Sequence, residues 1–582
     1  MHTDPDTQPT QQGRALACQA AREFNIPVQL AEILQRRGFD SLETLRDFLH
    51  PQLSMLPTPD TMKGMGEAVA CLCEASRQGR TIFVHGDYDA DGITATALLM
   101  SFFRETGAQA VYYIPNRMEE KYGLSRGSID TLMSRARSAE GGVLVSVDCG
   151  ITAVEEVEYA RQCGLKVVIT DHHEPQETLP LAQAVLNPKQ RDCAFPFAGL
   201  SGVGVAFFLL MALRKGLVER RLLAGEHMPN LKSYLDLVAL GTVADVVPLV
   251  DINRVLVRAG LEVLSAKSRP GVLSLCEQCD LQTAPVLAED ISFKLAPRIN
   301  ACGRLGVPER GVELLLARDL QVARQAAQDL EELNTERKRL EQLWLPEILE
   351  KGGEQVRAGR RALTIFQEHC HPGVLGILAS RVVDRYGRPA ILLTAREQEE
   401  GVITLKGSGR SVPGINLFQL VERCVGHVEQ FGGHAMAVGL TMARADLEGF
   451  AEALDVAAGE ADLDGATPTL SPDYRFTDKR ELNRAFVHAL QVMQPFGEGN
   501  PEPVFLLEGE RLLEQKNVNG HLLFQVRVNG MVLRGIGFNL AEAHALRSGP
   551  VDLFFKIKKT WFRGSERDQL QAIHLAGSDP TP

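Results

Sequence analysis

The chain is predicted to be an α/β protein: a parallel-sheet domain, a long connecting helix, a second α/β domain and a C-terminal β-barrel. Three observations predict this. Strand-like and helix-like segments alternate between about 80 and 190, a second alternation spans about 355 to 460, and beyond about 466 the pattern shifts to short strands separated by turn residues. At 582 residues the chain exceeds one hydrophobic core, so several domains are expected.

The elements follow in order. Residues 1–17 are polar, Gln-rich and without periodicity, which predicts a disordered tail, and helical pattern begins near Cys18. Residues 18–310 are expected to hold an N-terminal region and the first α/β domain. Its grammar is TIFVH, ITATALLMSFFRE, AVYYI, SIDTLMSRA, GVLVSVD, AVEEVEYARQCG and KVVITD. Between about 202 and 265 the apolar spacing turns helical, with Gly199, Gly202 and Gly204 opening one helix. Such a glycine cluster fits either close helix packing or an approach to phosphate. Residues 311–352 are predicted to connect the domains, through a charged helix from Asp319 to Glu350 with an apolar stripe at Leu330, Leu333, Leu340, Leu343 and Trp344. The second α/β domain is assigned to 353–465. Residues 466–582 carry the strands VFLLEGE, LLFQVRVNGMVLRGIGF, VDLFFKIKKTWFR and LQAIHL, with Asn-Gly turns at 519–520 and 529–530, as expected of a small barrel.

Composition excludes several classes. No apolar stretch approaches the roughly 20 residues of a membrane span, and the opening MHTDPDTQPTQQGR lacks a secretory pattern, so a cytoplasmic location without membrane contact is expected. The eleven cysteines are scattered, mostly in apolar segments, and disulfides are not expected. Cys276-Glu-Gln-Cys279 has zinc-knuckle spacing but no second pair to complete a site. A net charge of −12 argues against coating duplex DNA through bulk charge, so any nucleic-acid binding needs a local basic channel.

The chemistry lies at three strand ends. Apolar runs stop at His85-Gly-Asp87-Tyr-Asp89-Ala-Asp91, at Asp148 and at Asp171-His172-His173. The carboxyl ends of parallel strands line one crevice, so these groups can converge. Oxygen and imidazole ligands without thiolate suit manganese or magnesium better than zinc, and this predicts a metal-dependent phosphoester hydrolase.

His85-x-x-x-Asp89-x-Asp91, Asp148, Asp171-His172-His173 and Asp245 in Val243-Ala-Asp245-Val-Val-Pro resemble the four catalytic motifs of the DHH phosphoesterase superfamily. The resemblance continues through Pro297-Arg298-Ile-Asn-Ala-Cys-Gly-Arg304. Ser408-Gly-Arg410-Ser411 and Gly432-Gly433-His434 are similar to signatures of the DHH-associated domain. From about residue 20 onward the chain resembles the RecJ single-stranded-DNA exonucleases of bacteria. That resemblance implies 5′→3′ hydrolysis of single-stranded DNA to mononucleotides in repair and recombination, two manganese or magnesium ions, and an oligonucleotide-binding (OB) fold for the barrel. It implies one ion on His85, Asp89 and Asp148 and a second on Asp91, Asp148, His172 and Asp245, with Asp148 as the bridge. His173 is then placed at the scissile phosphate, and Asp87 and Asp171 orient ligands and water.

Arg117, Arg298, Ser408 and Arg410 offer the donors that hold a 5′ phosphate and its neighbours, although an arginine is often simply in an ion pair. His434 is expected either to contact nucleotide across the cleft or to pack between domains. Lys556, Lys558, Lys559 and Arg563 beside Phe554, Phe555, Trp561 and Phe562 fit strand tracking with base stacking, but FFKIKK is also the pattern of any half-buried strand. The resemblance further implies a single-stranded-DNA-binding protein and a helicase as partners of a monomer. A small-molecule DHH enzyme would share the metal ligands but lack the N-terminal region and the barrel. A non-catalytic relative would have lost ligands, and none is missing here.

Overall fold

A computed structural model describes residues 11–120, 123–136, 138–224, 228–397, 403–460, 470–542, 549–562 and 565–577. The first sheet contains β1 (Ile82–His85), β2 (Ala110–Tyr113), β3 (Val143–Val147), β4 (Lys166–Thr170) and β5 (Ala184–Leu186). They are all parallel, in the order β2-β1-β3-β4-β5. Strand order reverses between β1 and β3, and the loops leaving that pair form the crevice where ligands bind in such sheets. Helices cover both faces, as the continuous Val/Ile/Leu runs of the buried strands require. The Gly202–Glu219 and Leu235–Ala244 helices are apolar on all sides and wholly internal over most of their length.

The second sheet runs β6 (Leu363–Phe366), β7 (Ala390–Glu397), β8 (Ile403–Arg410), β10 (Ala437–Ala443) and β9 (Gln430–His434), with only β6 and β7 parallel. The connecting helix is Leu320–Arg357 rather than 311–352. Asp319 caps it, its carboxylate accepting from the N–H groups of Gln321 and Val322. Residues 311–316 belong instead to a separate Glu309–Leu316 helix buried in the first domain. The long helix gives Ala326, Ala327 and Leu330 to the first core and Ile348, with Leu340 and Trp344 against it, to the second. Leu343 leaves the expected stripe and faces solvent.

The third sheet has seven strands: β11 (Tyr474–Arg475), β12 (Phe505–Glu510), β13 (Leu513–Val518), β14 (His521–Val528), β15 (Met531–Gly537), β16 (Val551–Phe562) and β17 (Ser565–Gly577). Their order is β11-β12-β16-β17-β15-β14-β13. Both Asn-Gly turns join strands as expected, and Asn519, Gly520, Asn529 and Gly530 all have positive φ, the conformation of a tight hairpin loop.

Two N-terminal expectations are corrected. The disordered tail does not extend to residue 17, because a helix spans Gln11–Glu23 and buries Ala17 and Ala20; residues 1–10 lie outside the described residues. The second concerns grouping: the N-terminal helices, placed above in one span with the first α/β domain, have their core elsewhere. Leu30, Ile33 and Leu34 of Val28–Arg36 and Leu45, Phe48 and Leu49 of Leu42–Leu49 pack with Phe486, Phe505, Phe555 and Leu570 of the C-terminal domain. The two ends of the chain form one apolar unit.

Candidate metal centre and nucleic-acid cleft

Because β1, β3 and β4 end side by side, the turns that follow them bring the expected acidic and imidazole groups together. Three sets of potential ligand atoms lie within mutual reach: Asp87, Asp89 and Asp148; Asp91, His172 and Asp245; and Asp148, His172 and His173. Asp148 and His172 join the sets into one centre. Asp148 has φ 61°, a left-handed conformation that Asp tolerates and that turns its side chain into the crevice directly after β3.

The helix that opens at Gly202 serves this centre. Its Gly202 and Val203 N–H groups donate to Asp91 Oδ2 and Oδ1 at 2.6 and 2.9 Å, so the helix N-terminus meets a carboxylate of the protein rather than a phosphate. A Cβ at Gly202 would come within 2.6 Å of the Asp148 side chain, which is why glycine stands there. Asp89 caps the next helix, Ala90–Thr106, by accepting from the N–H groups of Asp91 and Gly92.

Electrostatics tests whether these residues fit divalent cations. Burial, then mutual repulsion, pushes Asp148 and Asp245 well above the usual carboxylate range, and burial and Asp89 do the same to Asp87. Burial and Asp89 raise Asp91 to about 7 against the two helix N–H groups. Burial lowers His172 to about 3, so its ring is neutral. His172 Nε2 lies 3.1 Å from Asp148 Oδ1 and 3.5 Å from Asp245 Oδ2, yet makes a hydrogen bond to neither. Asp87 Oδ1 is likewise buried without a hydrogen-bond partner. Buried carboxylate and imidazole groups this close together suit cations between them, and the donor set fits manganese or magnesium.

His173 is built for another task. Its Nδ1 is 2.7 Å from Asp171 Oδ1, which also accepts the N–H groups of His172 and His173, while Asp171 Oδ2 accepts from Ile151 N–H. Burial opposes charge on His173, but the Asp171 hydrogen bond and attraction prevail and raise it to about 9. The same bond brings Asp171 to about 2 against its own burial. In the metal-free chain Asp171 thus favours the charged form of His173 and sets the orientation of its ring.

The second α/β domain faces this centre across a cleft. The His434 ring at the end of β9 stacks on His173, with centroids 5.5 Å apart and planes at 10°. On β8, Lys406, Ser408 and Arg410 alternate along one face. Arg410 Nη1 is 3.4 Å from Ser408 Oγ, and a Cβ at Gly376 would meet both side chains within 3.0 Å. Lys406 Nζ donates to the Arg117 carbonyl across the cleft, and Arg117 itself lies 5.1 Å from the Tyr88 ring centroid. Arg304 is half-buried, and its Nη1 donates to the Gly373 carbonyl. Burial and then Arg117 and Arg410 lower it to about 9; burial and Arg117 lower Lys406 to about 8. Among the described residues no carboxylate lies within ion-pair distance of Arg117, Arg304 or Arg410. Guanidinium groups without a carboxylate at ion-pair distance keep donors available to a phosphate, although Asp87 and Asp89 lie near enough to attract Arg117 and Arg304.

At three positions the geometry differs from the expected arrangement. His85 joins none of the three ligand sets: as the last residue of β1 it is fully buried, with Nε2 3.0 Å from Ser128 Oγ and Nδ1 3.8 Å from Cys149 Sγ. Burial lowers it to about 4. Asp87, expected only to orient ligands, takes the place beside Asp89 and Asp148. Arg298 does not reach the cleft: it pairs with Glu331 of the long helix and donates to the Lys294 and Gln278 carbonyls. On β16, Lys558 pairs with Glu502 at 2.6 Å and Glu289 at 2.9 Å, and Lys559 pairs with Glu566 at 2.7 Å. Phe555 is a core residue, Arg563 lies outside the described residues, and nothing is described of the Trp561 and Phe562 side chains. The β16 lysines thus carry less free charge than their sequence implies.

Two cleft residues escape the motif reading. Arg304 closes the Pro297–Arg304 motif, which by itself gives it no role. Lys406 shares the two-residue period of Ser408 and Arg410, a signal that could have found it.

The comparisons agree with this architecture. Residues 81–242 match the DHH family N-terminal domain, 359–460 the DHHA1 domain and 477–574 the RecJ OB domain. The single-stranded-DNA-specific exonuclease RecJ of Dickeya dadantii (strain 3937) is 39% identical over 95% of this chain and 96% of its own length. That of Escherichia coli (strain K12) is 38% identical over 94% and 96%. The crystal structure of RecJ in complex with Mn2+ from Thermus thermophilus superimposes with a TM-score of 0.79 at 30% identity, covering 97% of this chain and 78% of that one. The Mg2+ complex from the same organism gives 0.74 at 29% over 97% and 77%. With a shared domain order and close identity along nearly the whole chain, this protein belongs to the RecJ family of single-stranded-DNA-specific exonucleases.

Proposed function

We propose that this enzyme removes nucleotides one at a time from the 5′ end of single-stranded DNA, with the reaction centred on Asp87, Asp89, Asp91, Asp148, His172 and Asp245. The observation that carries this is the meeting, across one cleft, of a buried carboxylate centre with the Arg117, Arg304 and Arg410 cluster. Those carboxylates and His172 would hold divalent cations, which when bound would supply charge neutralisation at the phosphodiester, an activated water and support for the leaving oxygen. Asp148 and His172, common to more than one ligand set, tie the two sides of the centre together.

The chain's own groups do the rest. His173, kept charged by Asp171, donates a hydrogen bond from Nε2 to an oxygen of the scissile phosphate as negative charge builds there. His434 stacks on His173 and limits the space between the domains to one strand end. Arg117, Arg304, Arg410 and Ser408 grip the terminal phosphate, which sets both the register of cleavage and its polarity. A single-stranded-DNA-binding protein and a helicase are proposed as partners that expose the strand, and the enzyme is proposed to act as a monomer in the cytoplasm. No described helix is long and apolar enough to cross a membrane.

A length series of single strands, duplexes and dinucleotides, each in manganese, magnesium and chelator, tests this. Metal-dependent release of mononucleotides from long single strands is expected. Preference for dinucleotides would place the enzyme with the small-molecule phosphodiesterases instead.

A further inference from the structure

The loop carrying Asp245 is held from outside its own domain. Asp245 closes the Leu235–Ala244 helix, and the Asp251–Ala266 helix begins shortly after. Between them Val246 has φ 61°, a left-handed conformation that a β-branched residue avoids, and its side chain is exposed. Such a conformation persists only where the surroundings impose it.

The residues that follow, Pro248–Val250, are packed by Val492–Asn500, the strap that leads into the C-terminal sheet. Leu249 N–H donates to the Glu498 carbonyl at 2.7 Å. A Cβ at Gly497 would lie 2.6 Å from Leu249 Cδ1, and one at Gly499 3.2 Å from Pro248 Cβ and Val250 Cγ1. The strap is braced internally, since Asn500 Nδ2 donates to the Met493 and Pro495 carbonyls at 2.8 Å. Arg254 then locks it down. Its Nε, Nη1 and Nη2 donate to the carbonyls of Phe48, Met493 and Val492 at 2.9, 3.0 and 3.1 Å, and its guanidinium lies 3.7 Å from the Phe48 ring centroid. Arg258 Nη1 adds a bond to the Gln494 carbonyl.

Arg254 is 2% exposed and, among the described residues, has no carboxylate partner. A buried charge met only by carbonyls is a costly way to hold two surfaces together, and an apolar side chain would often serve stability as well. What a rigid guanidinium adds is direction, because three donors in one plane fix three carbonyls at once.

We infer that Arg254 and the Val492–Asn500 strap position Asp245, so that the joined ends of the chain set the divalent-cation affinity of the Asp91, His172 and Asp245 site. The inference rests on the metal centre proposed above; Arg254 and the strap belong to none of its ligand sets and act as positioning groups.

Calorimetric manganese titration of the full chain without DNA tests it, with Asp245→Asn marking which binding step involves Asp245. Arg254→Met removes the three donors but keeps the stem. Gly499→Ala acts from the other side, at a φ of +70°. Both are expected to weaken the marked step by about ten-fold, as loss of groups that orient a metal ligand commonly does, and to leave the other step unchanged. Arg254→Lys should recover part of the loss, and excess manganese should restore kcat. Leu45→Ala, which thins the core shared by the two ends but removes none of the strap's hydrogen bonds, should lower Tm without moving either step. Wild-type isotherms in folded Arg254→Met and Gly499→Ala would overturn the inference, as would an equal shift in Leu45→Ala. Should Arg254→Met fail to fold, Gly499→Ala decides alone. No manganese uptake by the wild-type chain would overturn the metal centre and this inference together.

Discussion

Single side chains at the strand ends divide into ligands, an orienting carboxylate and a charged donor. Asp87→Asn is expected to weaken manganese binding at least ten-fold. His85→Asn should leave metal affinity near wild type and lower Tm, because His85 packs against Ser128 and Cys149. Matched titrations check this, and the reverse pattern would restore His85 to the centre. The sequence spacing shows that acids cluster after β1 but not which of them faces the crevice. That depends on the turn through Gly86–Tyr88 and on the face of the sheet taken by the last strand residue. Arg298 illustrates the same limit: a motif arginine looks identical in sequence whether it meets a phosphate or Glu331. At the cleft, Arg410→Ala should cut activity on 5′-phosphorylated strands roughly 10- to 150-fold, the worth of a charged hydrogen bond of about 1.5–3 kcal/mol, with little loss on 5′-hydroxyl strands. Steady-state rates on the two substrates decide it, and equal loss on both would remove Arg410 from the end-binding site.

Elements act through their ends and edges. The N-terminus of the Gly202–Glu219 helix is where a secondary-structure element enters the chemistry. Gly202→Ala should disturb Asp148 and Asp91 together, at a cost of about 1–3 kcal/mol from overpacking. A lower kcat with weakened manganese binding and unchanged far-ultraviolet circular dichroism is expected; wild-type kcat would show that the helix can give way. The strands that place the ligands are legible because they are short runs of buried β-branched residues ending in Asp or His. β13 is not, since Leu513-Glu-Gln-Lys-Asn-Val518 is an exposed edge strand with no apolar alternation to reveal it. The long helix is legible in kind, but its buried face shifts at Leu343, because two different domains pack on its two halves.

The whole molecule joins its two ends, which no local pattern discloses, since the partners lie more than 400 residues apart. Apolar periodicity shows that a helix has a buried face but not what covers it. A chain ending at 465 that keeps residues 11–50 should therefore expose Leu30, Ile33, Leu45 and Phe48 and aggregate. A chain of 51–465 should stay monodisperse in light scattering, and equal behaviour of the two would deny the shared core. Charge state acts on the whole fold as well. In the metal-free chain Asp91 is raised to about 7 and Asp87, Asp148 and Asp245 are also raised, so between about pH 4 and 7 these four carboxyls keep protons that the unfolded state has lost, outnumbering His85 and His172, which are lowered and act in the opposite sense. Stability of the metal-free chain should fall as pH rises through that window. The rise in Tm on saturation with manganese should accordingly be larger at pH 8 than at pH 5.5, and an equal rise would argue against a repulsive carboxylate centre.

The central claim is that one cleft holds the 5′ end and hydrolyses the bond next to it. Its most direct measurement follows single strands labelled at the 5′ or at the 3′ end in manganese, sampled within the first turnovers. Labelled mononucleotide should appear at once from the 5′ label, while the 3′ label remains in fragments that shorten stepwise; His173→Ala should slow both courses without changing their order. Early release of the 3′ label, or an internal cut that splits the strand before any mononucleotide appears, would contradict it.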